Sequence, residues 1–390
     1  MLTRKSWTDR HPTANLEAVS ERECTSTPPR QFWQELAYEL LSSCHQCLAH
    51  NTDTWRFPAH PFLRKVRDRL LSTAAACGFP RRYGGYLDRL QEVVDAGCFD
   101  KTMQLLADDA SRQLLVKLMA FRILGPRHYR LPMNTPAYWQ VRSTVSRYIK
   151  NRGVVDDVAI VGSLDEFDYQ GIHLIAHAMS ILGVFLIEQY RCRRAGITVR
   201  RGDIVIDGGA CWGDTSLYFA RQAEQVFAYE CVPSNLAIFQ RNMDLNPALA
   251  SRITLVSKAL WESSGATISL SQCGPGSRVV EESKGLQVKT HTIDDLVIER
   301  HLTRVDFIKM DIEGAETSAL LGAEQTIRRF RPRLAISVYH HIRDYVRIPE
   351  WIANLGLGYR MYLDHFTIFA EESVLFACSD RQGPDGESLA

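Results

Sequence analysis

Asp207 and Asp311 stand where an acidic side chain can meet a bound ligand. Each closes a short β-branched or apolar run and is followed by glycine. The run 204–206 stops at Asp207 before Gly208, Gly209 and Gly213, and the run 305–310 stops at Asp311 before Gly314. A parallel strand has this look where its carboxyl end opens into a ligand crevice. Glu230 closes a third such run, 226–230. One acidic strand end says little, but three in one chain point to a nucleotide-like ligand.

The first loop discriminates among such ligands. The dinucleotide fingerprint G-x-G-x-x-G needs glycine at its third position, so that the backbone can approach a pyrophosphate. Counting from Gly208, the third residue is Ala210, and bulky Trp212 adjoins Gly213. Asp207, directly before the glycines, would repel a pyrophosphate but suits the ammonium of a methionine moiety. Glu230 can accept both ribose hydroxyls of either cofactor. The loop therefore favours S-adenosylmethionine over NAD. Glycines that merely turn a strand into a helix would leave the acid placement unexplained.

The elements that must carry these residues follow from periodicity. From residue 198 onward, strands at 203–207, 226–230, 253–256, 305–310 and 333–339 alternate with helices at 215–222, 234–245 and 315–329. A further helix at 349–355 and late strands at 359–363 and 374–378 complete the pattern. It predicts an open, doubly wound parallel sheet with helices on both faces. Segments 267–270 and 286–290, around Gly274-Pro275-Gly276, read as a hairpin inserted before the fourth strand. The N-terminal half reads differently. Residues 1–30 are polar and predicted to be disordered, and 381–390 a flexible tail. Helical spacing recurs at 31–50, 62–77, 86–96 and 111–124, before Pro132 and Pro136 break it. Strands are expected at 154–161 and 172–177, and a helix at 181–191. The organisation expected is a mainly helical, substrate-selecting region at 31–180 and a catalytic domain at 181–380.

Bulk properties narrow the class. The chain has 390 residues, 23% charged, with a formal net charge of +1, so it lacks the basic excess of a nucleic-acid binder. Its first residues lack the apolar core of a secretory signal, and its longest apolar run, 181–187, is too short to span a bilayer. Ten cysteines are too sparse for a disulfide scaffold. A cytoplasmic protein is expected, without nucleic acid and without stable membrane insertion. Cys44 and Cys47 with His50 resemble half a zinc site, but no second pair follows, and they share the apolar face of a helical pattern.

The segments DGGACWGDTS, YECVPSN, TIDDL with VDFIKMDIEGAE, and RPRLAISVYHHIRDYVRIPEWI together resemble the FkbM family of S-adenosylmethionine-dependent methyltransferases. The match runs over about residues 181–378, with four segments in order. The resemblance implies a class I (Rossmann-like) methyltransferase fold, α/β, with a seven-stranded sheet and an antiparallel last strand. It also implies O-methylation of a hydroxyl on a sugar, glycan or secondary metabolite. Asp207, Gly209 and Gly213 match the family's cofactor loop, and Glu230 its ribose-binding acid. The commoner family loop has a small residue and asparagine where this chain has Gly209-Ala210-Cys211.

Roles follow for the strand ends. Gly208 belongs to the same loop. Asp214 and Thr215 open the next helix, where Thr215 and free backbone N–H groups could hold the cofactor carboxylate. Ala259, Leu260 and Trp261 are expected against adenine, with a plain core role as the alternative. Asp311 is expected beside the transferring methyl, and its alternative is to cap a helix starting near Gly314. Glu313 and Glu316 suit that helix's N-terminus. Of His340 and His341, which must point apart, His340 is the candidate base as a neutral imidazole, against a histidine bonded to a loop carbonyl. His365 is a weaker candidate. Lys309 shares the strand face of Asp311 and could pair with it or another acid, or orient the substrate. Asp311, Glu313 and Asp295 are conceivable oxygen ligands, but their spacing does not bring them together, and no metal ligand is assigned. The leading reading is an O-methyltransferase. The alternatives are a catalytically silent binding protein of the same fold and an NAD-dependent oxidoreductase.

Overall fold

The computed structural model describes residues 31–43, 48, 84–158, 162–271, 274–280 and 285–379. The expected disorder at 1–30, the helix at 62–77, the Cys44/Cys47/His50 cluster and the tail at 381–390 lie outside these.

Strands β1 (Ile149–Val158), β2 (Gly162–Tyr169) and β3 (Ile172–Ala176) form an antiparallel three-stranded sheet. The main sheet begins with β4 (Ile204–Gly208), β5 (Gln225–Tyr229) and β6 (Ile253–Val256). A smaller four-stranded sheet follows, made of β7 (Ala259–Leu260), β8 (Thr267–Leu270), β9 (Val279–Val280) and β10 (Leu286–His291). In it β8 and β10 pair antiparallel, as a hairpin requires. The main sheet resumes with β11 (Phe307–Met310), β12 (Arg333–Ser337), β13 (Tyr359–His365) and β14 (Ser373–Ser379).

The seven main strands lie in the order β13-β14-β12-β11-β4-β5-β6. The four pairings from β12 to β6 are parallel, and β14 runs antiparallel to both its neighbours. Strand order reverses at β4, since β5 continues on one side and β11 lies on the other. That is where the carboxyl ends of neighbouring strands diverge and leave a crevice. Alternate residues face opposite layers, as the strand period demands. Ile206, Phe227, Ile308 and Leu334 enter one buried cluster, and Val205, Val226, Phe307 and Ala335 enter the other.

The N-terminal helices are continuous with this core. Phe32, Phe99 and Leu115 belong to the same cluster as Leu334, Met361 and Leu363. Ala107 N–H donates to Met361 O at 2.8 Å, and Arg194 bridges Asp108 and Asp364. The helices at Gln31–Ser43, Gly84–Asp95 and Asp109–Leu124 occur where helical spacing predicts them. Among the described residues no helix is long and apolar enough to cross a membrane.

Several local expectations are corrected. Pro136 starts a helix, Pro136–Thr144, instead of ending a pattern, because Thr135 caps it by accepting from Tyr138 N at 3.3 Å and proline suits the first turn. The expected helix 315–329 is two, Glu316–Leu321 and Glu324–Phe330. Between them the backbone at Gly322 passes so close to Trp261 that a Cβ would lie 2.1 Å from its carbonyl oxygen. The segment Ile181–Ile187 is π-helical and stops at Glu188, whose φ is +60°. Such bulged helices gather at functional sites, and this one borders the crevice.

Candidate active site

The loop after β4 is held in a conformation few residues tolerate. Gly209, Cys211 and Gly213 all have positive φ, at 76°, 47° and 82°. Gly209 N–H and Ala210 N–H both donate to Tyr229 O, at 3.0 and 2.9 Å, which pins the loop to β5. A Cβ on Gly209 would lie 1.8 Å from Asp311 O, so the two strand ends touch through this glycine. Gly209→Ala is expected to cost at least about 3 kcal/mol. Gly265→Ala is the control, because its φ of +84° is equally strained but nothing lies within 4 Å of its Cβ; it should cost only about 1 kcal/mol. Equal losses of denaturant stability in the two variants would refute the steric argument. Ala210 and Trp212, which disfavour a dinucleotide loop, are buried in the core.

Asp207 does not face the crevice. It is fully buried, with Lys309 Nζ 3.0 Å from Oδ1, while Thr215 Oγ1 and Ser216 Oγ donate to Oδ2 at 2.7 and 2.6 Å. The expected direct contact of Asp207 with a cofactor ammonium is therefore corrected, since the side chain is fully buried and lines neither cavity. The bond from Thr215 Oγ1 removes that hydroxyl from carboxylate binding. Lys309 sits opposite Asp207 across the β11–β4 pair and also donates to the carbonyls of Gly208 and Gly209, at 3.0 and 2.8 Å. Burial opposes its charge, but Asp207 and Asp311 outweigh burial and hold its pKa above the ordinary lysine value. Lys309 thus locks the loop, with its side chain also on the cavity wall.

Asp214, though itself buried, borders the crevice as Asp207 does not. It lines a cavity of about 580 Å³, together with Gly209, Tyr190, Asp311, Tyr339 and His340. Burial raises its pKa, against a bond from Ser180 and the charge of Lys309. Asp311 is fixed from two sides: Tyr190 OH donates to Oδ2 at 2.8 Å and Tyr339 OH to Oδ1 at 3.1 Å. The capping role is ruled out, because the next helix starts at Glu316 and has no side-chain cap. Burial would raise the Asp311 pKa, but the charges of His340 and Lys309 and the two tyrosines bring it below the ordinary range.

His340 lines the cavity, whereas His341 packs against Gly314. Burial would lower the His340 pKa, yet Glu316, Glu313 and Asp311 outweigh burial and raise it well above the usual imidazole value. That direction works against the neutral imidazole expected of a base. His365 is bonded to Ser373 Oγ at 2.8 Å and buried at the sheet edge. Asp295 bonds Ser264 and Thr292 and lies apart from Asp311.

Glu230 opens a second, narrower cleft of about 80 Å³, shared with Leu260, Ala259 and Val232. Cys231 and Val232 N–H both donate to Oε1 at 2.7 Å, while Asn235 Nδ2 lies 3.4 Å from Oε2. Burial raises its pKa against these donors. Trp261 does not join this wall, being tied by its N–H to His291 O. Gly209, Cys211, Pro275, Asp311 and Glu313 line both spaces, so the two adjoin across the strand ends.

Tyr190, Tyr339 and Glu316 were missed as site residues from sequence. Tyr190 reaches Asp311 across 121 residues of chain, and no local pattern signals that contact. Glu316 was read only for its helix-end charge, yet it is fully buried and accepts from Ile312 N at 2.8 Å.

Asp344 lies behind this cluster with its pKa pushed up to about 8, chiefly by burial and then by the charge of Glu316. Below about pH 4 both folded and unfolded chains hold this proton. Between there and pH 8 only the folded chain keeps it, so stability falls as pH rises through that window and levels off above it. Asp344→Asn, which retains the acceptor for His341 N, should flatten this slope and raise the unfolding midpoint at pH 8. Thermal unfolding at pH 5 and pH 8 checks it, and an unchanged slope would refute it.

Residues 200–361 match the family model described as the methyltransferase FkbM domain. "Methyltransferase 1" of Beauveria bassiana (strain ARSEF 2860) is 26% identical over 147 residues, 31% of this chain and 58% of that protein. Among solved structures, methyltransferase FkbM from Methylobacillus flagellatus KT superposes with a TM-score of 0.46 and 22% identity. That superposition covers 73% of this chain and 58% of that one. Aeropyrum pernix fibrillarin, with natively bound S-adenosyl-L-methionine, gives a TM-score of 0.32 and 12% identity over 55% of this chain and 81% of its own. The chain thus spans somewhat over half the length of the first two relatives. Residues 200–361 are thus similar to the methyltransferase FkbM domain.

Proposed function

We propose that the chain is an S-adenosylmethionine-dependent O-methyltransferase whose acceptor is a hydroxyl of a sugar, glycan or other small molecule. The observation that carries this is the pair of adjoining spaces, one lined by Glu230 and the other by Asp214 and His340, that share Gly209 and Asp311.

Two features of these spaces fit the cofactor. Glu230 Oε2 keeps acceptor capacity for ribose hydroxyls. Ala259, Leu260, Ile268 and Leu270 offer the apolar walls a purine needs. Asp214 would meet the methionine ammonium, and Asp207 acts behind it as the anchor of the loop. When bound, the cofactor supplies an electrophilic methyl group, and alignment does most of the remaining work.

The larger cavity has the volume of an ordinary small-ligand site. Asp311, oriented by two tyrosines, would accept the hydrogen bond of the acceptor hydroxyl. Lys309 is a positioning residue, acting through Asp207 and the loop carbonyls. Arg122, His177, Met179 and Leu182 from the N-terminal half also line this cavity, which supports a substrate-selecting role for that half.

Calorimetric titration of the purified protein with S-adenosylhomocysteine and NAD, followed by labelled methyl transfer to a panel of sugars, diols and phenols, tests the reading. Binding of S-adenosylhomocysteine and not NAD is expected. Tight NAD binding alone, or no binding of either, would overturn it.

A further inference from the structure

We propose that Asp311, Glu316 and His340 form a binding site for one divalent cation at the base of the larger cavity. Ligand atoms from these three residues all lie within 4.8 Å of one another. They come from three elements: the end of β11, the start of helix Glu316–Leu321 and the end of β12. The convergence therefore belongs to the tertiary fold and not to one acidic stretch.

The second observation is a set of buried polar atoms left over by the protein's own bonding. Both ring nitrogens of His340 and Oε2 of Glu316 are buried without a hydrogen-bond partner. The His340 side chain is 8% exposed and that of Glu316 0%. His340 Nδ1 lies 3.0 Å from Glu316 Oε1 but off the line of a hydrogen bond, and Nε2 lies 3.5 Å from Asp311 Oδ1. Buried atoms of this kind are few in native proteins, and each calls for a cause. Three of them within one ligand set indicate a bound ion.

The donor chemistry selects the ion. Two carboxylates and one imidazole, with no thiolate, suit a hard or borderline cation of the Mn²⁺ or Mg²⁺ kind. The outer contacts are those that hold ligands in place: Tyr190 and Tyr339 grip Asp311, and Ile312 N grips Glu316. Glu313 Oε2, 3.6 Å from His340 Nε2, sits on the open side with its side chain 33% exposed. Asp311, Glu313 and His340 line the cavity, so the remaining coordination positions face the acceptor. Binding would replace any imidazole proton with the metal. Such an ion would take two neighbouring acceptor oxygens, of a vicinal diol or an α-hydroxy acid, and favour loss of one hydroxyl proton as a Lewis acid. This acceptor class rests on the methyltransferase reading; the cation site does not.

The test uses the full chain, stripped with EDTA and titrated with Mn²⁺ while electron paramagnetic resonance reports the free ion. One ion per chain is expected, displaceable by Mg²⁺, and the bound Mn²⁺ should show coupling to one imidazole nitrogen. Asp311→Asn and Glu316→Gln should each weaken binding at least 10-fold, and His340→Gln should remove the nitrogen coupling. Thermal unfolding of each variant confirms that it is folded, and the nitrogen coupling in the unaltered protein needs no variant at all. Failure to bind one ion per chain, or bound Mn²⁺ without nitrogen coupling, would overturn the site. S-adenosylhomocysteine titration of the same stripped sample separates the two readings. Its binding without Mn²⁺ binding sinks the cation site alone, and Mn²⁺ binding without it keeps the site and sinks the methyltransferase reading.

Discussion

Replacing Glu230 with alanine is expected to weaken S-adenosylhomocysteine binding by about 100-fold, a loss near 2.7 kcal/mol. Glu230 Oε1 is occupied by two backbone N–H groups, and these set the carboxylate's angle. Oε2, with one long contact to Asn235, keeps capacity for sugar hydroxyls. Charge-assisted hydrogen bonds contribute roughly 1.5–3 kcal/mol each, so losing one or two gives an effect of this size. Glu230→Gln keeps the shape and one acceptor oxygen, and should lose only about 10-fold. Calorimetry on both variants measures the difference. If alanine binds within threefold of the parent, Glu230 does not hold the ribose.

Lys309→Met is expected to destabilise the fold by about 3–5 kcal/mol, because it leaves Asp207 buried without its cation. Lys309 is 1% exposed and Asp207 fully buried, with 3.0 Å between Nζ and Oδ1. The same ammonium also holds the carbonyls of Gly208 and Gly209, so the variant should lose loop order as well. A midpoint lower by roughly 10 °C follows from that range. Asp207→Asn together with Lys309→Met should recover part of the loss, since removing both charges removes the uncompensated one. A single variant as stable as the parent, or a double variant worse than the sum of the singles, would show that the pair is not coupled in this way.

These two variants separate what is legible along the chain from what is not. Runs such as 204–206 and 305–310 read as strands because apolar, β-branched residues with an acid and glycine at the end have few other places to go. The segment 253–256 is β6 residue for residue. The π-helical turn at Ile181–Ile187, the short helix Phe99–Leu105 and the break at Gly322 were not legible. Each depends on what packs against it, as the Trp261 carbonyl does at Gly322. Pro136 misled because proline breaks a helix from inside yet suits its first turn.

Sequence by itself determined the elements and the acids at their ends, because period, turn residues and strand termini are local properties. It also carried the family resemblance. Only the tertiary structure decided what each acid does. Asp207 is turned inward because Lys309 stands opposite it on β11. Asp311 is held by Tyr190 from far upstream and by Tyr339 from the loop after the neighbouring strand. His340 has its pKa raised by acids on other elements, against the effect of burial. The physical reason is common to all three. A carboxylate's role depends on its burial and its partners, and partners that meet through strand pairing and core packing are distant in sequence.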